Sequence, residues 1–194
     1  VNEDTASMAA NALLKLIDNN KIDPTTIGRI YMGTESALDA SKPTATYALA
    51  PVEKILATSY GERCFKNCDV LDMTFACIGA VDALENCLDW VRCSPSRKAI
   101  VIASDTAKYE LESPGEYTQG AGAVAMLIGS DPSIISFKSS IGISMEHVSD
   151  FFKPRRKLDN TFLKTKNTSI QDLTNSNKEK LELYFEEPVF DGQY

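Results

Sequence analysis

Val70-Leu71-Asp72-Met73-Thr74-Phe75-Ala76-Cys77-Ile78-Gly79-Ala80-Val81-Asp82-Ala83-Leu84-Glu85-Asn86-Cys87-Leu88-Asp89-Trp90-Val91 reads as a strand, a tight turn carrying a cysteine, and a helix. After the turn, Val81, Leu84, Leu88 and Val91 recur at three- and four-residue steps while Asp82, Glu85 and Asp89 fall on other faces, which predicts an amphipathic helix. Cys77 is thereby placed at or just before a helix N-terminus. Unpaired N–H groups and the helix dipole there stabilise a thiolate, the nucleophilic form of the side chain. The same pattern is open to a second reading, a small buried hydrophobe, because free cysteine is among the most buried residue types.

Upstream of this stretch, Asn2-Glu3-Asp4-Thr5 supplies capping groups for a helix through Met8, Ala9, Ala12, Leu13, Leu16 and Ile17, ended by Asn19-Asn20. Asp23-Pro24-Thr25-Thr26 is a turn, and residues 27–34, β-favouring and closed by glycine, predict a strand. Glu35 follows at its carboxyl end, where α/β proteins bind ligands; a surface glutamate is the competing reading. A helix is expected over residues 46–56.

Downstream, Ser94-Pro95-Ser96 breaks the chain, and residues 98–104 form a near-continuous apolar run expected of a strand buried on both faces, with Asp105 at its end. Residues 116–123 are glycine-rich and open into residues 124–128, expected to be another buried strand, the glycines permitting close backbone packing. They do not form the G-x-G-x-x-G phosphate fingerprint. Residues 134–137 and 141–144 read as further strands that could pair with each other, and residues 155–180 read as a polar surface excursion. Strands alternating with helices predict a layered α/β fold with a largely parallel sheet.

Composition narrows the function. With 194 residues, 43% of them hydrophobic, the chain can bury a sizeable core as one domain or part of a larger one. A net charge of −7 disfavours a general nucleic-acid or membrane-surface role, although Lys153-Pro154-Arg155-Arg156-Lys157 could hold a phosphate. The five cysteines (64, 68, 77, 87 and 93) include no C-x-x-C pair and no histidine at zinc-ligand spacing, so neither a disulfide framework nor a metal site is expected, and a reducing cytosol fits. No apolar run approaches ~18 residues and no charged-then-apolar leader opens the chain, so neither a membrane span nor a signal peptide is expected. Val1 in place of a methionine suggests an upstream portion.

Four stretches carry a family resemblance: Gly33-Thr34-Glu35-Ser36-Ala37-Leu38-Asp39-Ala40-Ser41-Lys42, Ala76-Cys77-Ile78-Gly79-Ala80, Ala103-Ser104-Asp105-Thr106-Ala107-Lys108-Tyr109 and Tyr117-Thr118-Gln119-Gly120-Ala121-Gly122-Ala123-Val124-Ala125. In this order they resemble the 3-hydroxy-3-methylglutaryl-CoA synthases. Asp150-Phe151-Phe152-Lys153-Pro154 and Pro188-Val189-Phe190-Asp191-Gly192 are weaker matches. The resemblance implies a thiolase-like layered α/β/α fold, incomplete in this chain. Residues 1–154 would form the N-terminal half without its first strand, 155–187 a polar excursion or insertion, and 188–194 the start of a continuation.

It further implies Cys77 as the acyl-carrying nucleophile and Glu35 as general acid/base. Asp39, Asp105 and Asp150 would line or orient the site, Tyr109 would abut it, and Thr118 would lie near the bound acyl group. Caps, a turn former and packing are the plain alternatives for Asp39, Asp150, Asp105 and Tyr109. Acetyl-CoA and acetoacetyl-CoA are the implied substrates, with no cofactor beyond CoA thioesters and no metal, in a cytoplasmic homodimer of the mevalonate route. The family's acceptor-polarising histidine lies downstream of the Pro-x-x-Asp-Gly stretch, so His147, the only histidine here, is expected to be an ordinary surface or strand-end residue and the chain by itself an inactive fragment. Alternatives are a ketoacyl synthase of the type III kind or a carrier-protein-dependent β-branching synthase, and a non-catalytic scaffold half. Ketoacyl synthases use cysteine, histidine and asparagine and have no need of Glu35. A cysteine hydrolase fits less well, because no glycine stands two residues before Cys77.

Overall fold

The computed structural model describes residues 3–109, 111–138 and 142–147. The chain divides into two units, Val1–Ser139 and Ser140–Tyr194. All helices and strands among the described residues belong to the first; in the second, residues 142–147 form neither.

Helix α1 (Thr5–Asn20) opens on a reciprocal cap, in which Asp4 accepts from the Ser7 N–H at 2.8 Å and Ser7 Oγ accepts from the Asp4 N–H at 2.9 Å. It ends where Lys21 turns left-handed, φ 52°. Strand β1 (Ile27–Gly33) follows a short turn, then α2 (Thr44–Tyr60), β2 (Asp69–Met73), α3 (Gly79–Arg92), β3 (Lys98–Ala107) and β4 (Gly120–Ile128). The sheet order is β2-β1-β3-β4; the first three strands are mutually parallel and β4 joins β3 antiparallel.

The two-residue period of a strand divides the core between the sheet's faces. Ile30 and Met32 of β1 and Ile100 and Ile102 of β3 meet Leu13 and Ile17 of α1 and Ala48 and Val52 of α2. The intervening Tyr31, Ala99 and Val101 face α3 through Ala83, Cys87 and Val91. Helices thus cover both faces of a mostly parallel sheet, as the alternation of elements predicts.

Several expectations need correction. Val81 is 49% exposed, and the buried spine of α3 is Ala83, Cys87 and Val91, with Leu84 and Leu88 partly buried. The stripe facing the sheet is Gly79, Ala83, Cys87 and Val91 at four-residue steps, and Val81, two positions from both Gly79 and Ala83, lies about 200° round the helix from it. Strand β4 is not a buried strand: Val124 is 58% and Leu127 40% exposed, and only Ile128 is buried. Among the described residues its one ladder partner is β3.

A Cβ at Gly120 or Gly122 would meet nothing within 4 Å, so close packing does not explain them. Asp105 lies inside β3, which continues to Ala107. Residues 134–137 form no strand, and Ile134 is 92% exposed; without a ladder a short apolar run has no reason to extend. Ile141 lies outside the described residues, and residues 142–144 form no strand.

Candidate active site

Parallel neighbours end on the same side of a sheet. Glu35 follows β1, Cys77 follows β2 and Tyr109 follows β3, so the order β2-β1-β3 gathers three residues far apart in the chain. The Thr34 N–H extends the β1–β2 contact by donating to the Met73 carbonyl at 3.1 Å.

Two glycines set how closely the Cys77 turn approaches. A Cβ on Gly33 would stand 2.1 Å from the Ala80 nitrogen and 2.4 Å from its Cα; one on Gly79 would stand 2.4 Å from the Met73 oxygen. The N-terminus of α3 therefore rests directly on the ends of β1 and β2. Between β2 and α3 the chain makes one 3₁₀ turn, Ala76–Ile78, closed by the Phe75 carbonyl, which accepts from the Ile78 and Gly79 N–H groups at 3.1 and 2.7 Å. Ala76 has φ 28°, sparsely populated for a residue with a side chain, so the strain sits beside the thiol.

Cys77 is exposed, just ahead of the helix end the sequence predicts. Cys87 is in the core, where burial pushes its thiol up to about 12; burial does the same to Cys68 and also raises Cys64. The buried-hydrophobe reading thus describes Cys87 and not Cys77.

The half-buried Glu35 accepts a hydrogen bond at Oε2 from the Tyr109 hydroxyl at 3.0 Å. The Tyr109 phenol is raised by burial first, then by the Glu35 bond and charge, with a further contribution from Cys77, so it stays a neutral donor to Glu35. Gly115 sits against the tyrosine ring, where a Cβ would come within 2.4 Å of its Cδ1. Thr118 reaches the same phenol while donating to the Gly115 carbonyl at 2.7 Å.

Asp105 anchors the Glu35 loop. Its Oδ1 accepts from Thr34 Oγ1 at 2.9 Å, the Glu35 N–H at 2.7 Å, the Ser36 N–H at 3.2 Å and Ser36 Oγ at 2.8 Å. At the far end of that loop, Asp39 accepts from the Ser41 and Lys42 N–H groups and from the Tyr47 hydroxyl at 2.6 Å. The Tyr47 bond, followed by the backbone bonds, holds the Asp39 carboxyl below the usual range. Asp39 thereby serves its own turn, while Asp150 lies outside the described residues.

Sequence reasoning missed Asp72. From β2 its carboxylate accepts the Thr44 and Ala45 N–H groups, capping an α2 that has no local side-chain cap. Thr44 Oγ1 in turn accepts the Leu38 N–H at 3.0 Å, which ties the Glu35 loop to the helix. An aspartate flanked by Leu71 and Met73 inside a five-residue strand was the available signal. Among the described residues, no cluster of three or more histidine, cysteine or acidic side chains could hold a metal ion. Nor is any described helix long and apolar enough to cross a membrane.

Residues 1–133 match the family model described as hydroxymethylglutaryl-coenzyme A synthase N terminal. The chain belongs to this family. A hydroxymethylglutaryl-CoA synthase of Haloferax volcanii is 40% identical over 159 residues, which are 81% of this chain and 35% of that protein. The solved structure of MvaS in complex with 3-hydroxy-3-methylglutaryl coenzyme A superposes with a TM-score of 0.69 at 31% identity, covering 84% of this chain and 38% of that one. An HMG-CoA synthase complexed with CoA gives a TM-score of 0.62 at 28% identity, over 93% of this chain and 44% of that one. The α/β sheet with its flanking helices matches the N-terminal part of the family's thiolase fold. The chain spans about a third of the length of the curated relatives it matches.

Proposed function

We propose that the protein carrying this chain is a hydroxymethylglutaryl-CoA synthase that condenses acetyl-CoA with acetoacetyl-CoA, with Cys77 as nucleophile and Glu35 as general acid/base. The observation that supports this most is the convergence of Glu35, Tyr109 and the Cys77 turn at three parallel strand ends. In the first step the Cys77 sulfur displaces CoA from acetyl-CoA and carries the acetyl group as a thioester. Glu35 then removes a proton from the acetyl methyl group, and the resulting enolate attacks the ketone of acetoacetyl-CoA. The new alkoxide takes up a proton, and water cleaves the Cys77 thioester to release 3-hydroxy-3-methylglutaryl-CoA. Tyr109 holds the carboxylate through the one bond it donates, and Asp105 holds the backbone of the same loop.

The only imidazole in the chain is that of His147, in the second unit. The acceptor-polarising group is accordingly assigned to the remainder that the relatives possess, and the 194 residues alone are expected not to turn over. The proposal extends to residues 1–154 as the N-terminal half, to a homodimer, and to a cytoplasmic role in the mevalonate route.

The test is made on the full-length protein with labelled acetyl-CoA. The label is expected at Cys77, absent in Cys77→Ala, and Glu35→Gln should leave acylation largely intact while slowing condensation by about 10² to 10⁴-fold. Label at Cys64, Cys68, Cys87 or Cys93, or equal loss of both steps in Glu35→Gln, overturns the assignment.

A further inference from the structure

Ser36 follows Glu35 directly, and its hydroxyl joins three elements. It donates to Asp105 Oδ1 at 2.8 Å and accepts from the Thr106 N–H at 2.8 Å and from Thr5 Oγ1 of α1 at 3.2 Å. A hydroxyl has one proton and two lone pairs, so these bonds exhaust it and leave nothing for a substrate. The Ser36 N–H is engaged as well, with Thr34 Oγ1 at 3.0 Å and Asp105 Oδ1 at 3.2 Å. Thr5 and Thr34 are both fully buried, and Ser104 Oγ donates to the Thr5 carbonyl at 2.7 Å, locking the start of α1 onto β3.

We propose that Ser36 is a positioning residue for Glu35: its hydroxyl pins the loop to β3 and to the first turn of α1, in the register where the Glu35 carboxylate meets the Tyr109 hydroxyl. The proposal rests on the reading of Glu35 as the general acid/base. Removing the Ser36 oxygen leaves the Thr106 N–H without its acceptor, leaves the Thr5 hydroxyl only its longer 3.5 Å contact with Thr106 Oγ1, and takes one donor from Asp105. The loop can then settle elsewhere, and a displacement of about 1 Å at a reacting group costs on the order of 10²-fold in rate. Acylation does not use the Glu35 carboxylate and is spared.

The experiment uses the full-length protein with Ser36→Ala and Ser36→Thr, measuring Cys77 acylation and condensation separately. Independently, the Tyr109 phenol is titrated by NMR on ¹³C-tyrosine-labelled protein, with Tyr109→Phe for assignment. Ser36→Ala is expected to lower condensation about 10- to 100-fold with acylation within about twofold, and Tyr109 should titrate at lower pH as its bond to Glu35 loosens. Ser36→Thr should restore both. If Ser36→Ala does not fold, Ser36→Cys, similar in size but a weak donor, takes its place with the same split expected.

Wild-type condensation together with a wild-type Tyr109 titration in the variant overturns the proposal, as does equal loss of both steps with that titration unchanged. Should the wild type acylate but fail to condense, the function proposed above fails. The Tyr109 titration then decides the role of Ser36 alone: a shift to lower pH supports it and no shift overturns it.

Discussion

Gly33→Ala is expected to damage the site through the backbone alone. The added methyl group would lie 2.1 Å from the Ala80 nitrogen, 2.4 Å from its Cα and 2.5 Å from the Gly79 carbonyl carbon. All three are backbone atoms of the start of α3, so no side chain can swing aside. Ordinary contact begins at 3.4 Å, and the helix end must retreat by about 1.3 Å from β1. The turn holding Cys77 is covalently continuous with that helix end and moves with it, away from Glu35 and Tyr109. Overpacking of this kind costs about 1–3 kcal/mol of stability. A misplacement of this size costs on the order of 10²-fold in rate.

Gly120→Ala is the control, since the same methyl group would there meet nothing within 4 Å. Urea denaturation of the two variants of the full-length protein, paired with rates of condensation, the step that needs Cys77 and Glu35 together, separates the outcomes. If Gly33→Ala matches Gly120→Ala in midpoint and in condensation rate, the close approach of α3 to β1 does not set the position of the thiol, and the geometric argument for the site fails.

Asp72→Asn should destabilise by about 1–2 kcal/mol through the loss of a charged cap on α2, measured by denaturation, whereas unchanged stability would show that the cap contributes nothing. Alkylation at neutral pH, followed by peptide mapping, should modify the exposed Cys77 and Cys93 well before Cys64, Cys68 and Cys87, whose thiols burial holds protonated. Early labelling of Cys87 would contradict the packing of α3. Burial, followed by the bond to Asp69, pushes the Tyr31 phenol from its ordinary 10.0 up to about 12. A folded value above the unfolded one gives stability that is complete below pH 10 and lost as pH rises towards 12. Denaturation midpoints across this window should therefore fall in the wild type and fall less in Tyr31→Phe, and parallel curves would refute the assignment.

What the sequence determined by itself is local. The capped start of α1, the β-favouring run of β1, the apolar run of β3 and the strand-turn-helix around Cys77 each depend on a few neighbouring residues, whose spacing and capping chemistry can be read directly. Spacing also says that a face will be covered, but not by what or how closely. For this reason the sequence pattern placed Val81 in the core of α3 and β4 in the interior, although Ala83 and Cys87 carry the one contact and Val124 and Leu127 of β4 are exposed.

Only the tertiary structure decided that β1 lies between β2 and β3, and that adjacency brings Glu35 to Tyr109, 74 residues away. It also decided that Asp72 caps a helix 27 and 28 residues upstream and that Asp105 and Ser36 bind the Glu35 loop across 69 residues. These partners meet because strands pair and helices bury their apolar faces against them. The free energy of that packing is spread over the whole core, so no short stretch of residues encodes which polar groups it brings together.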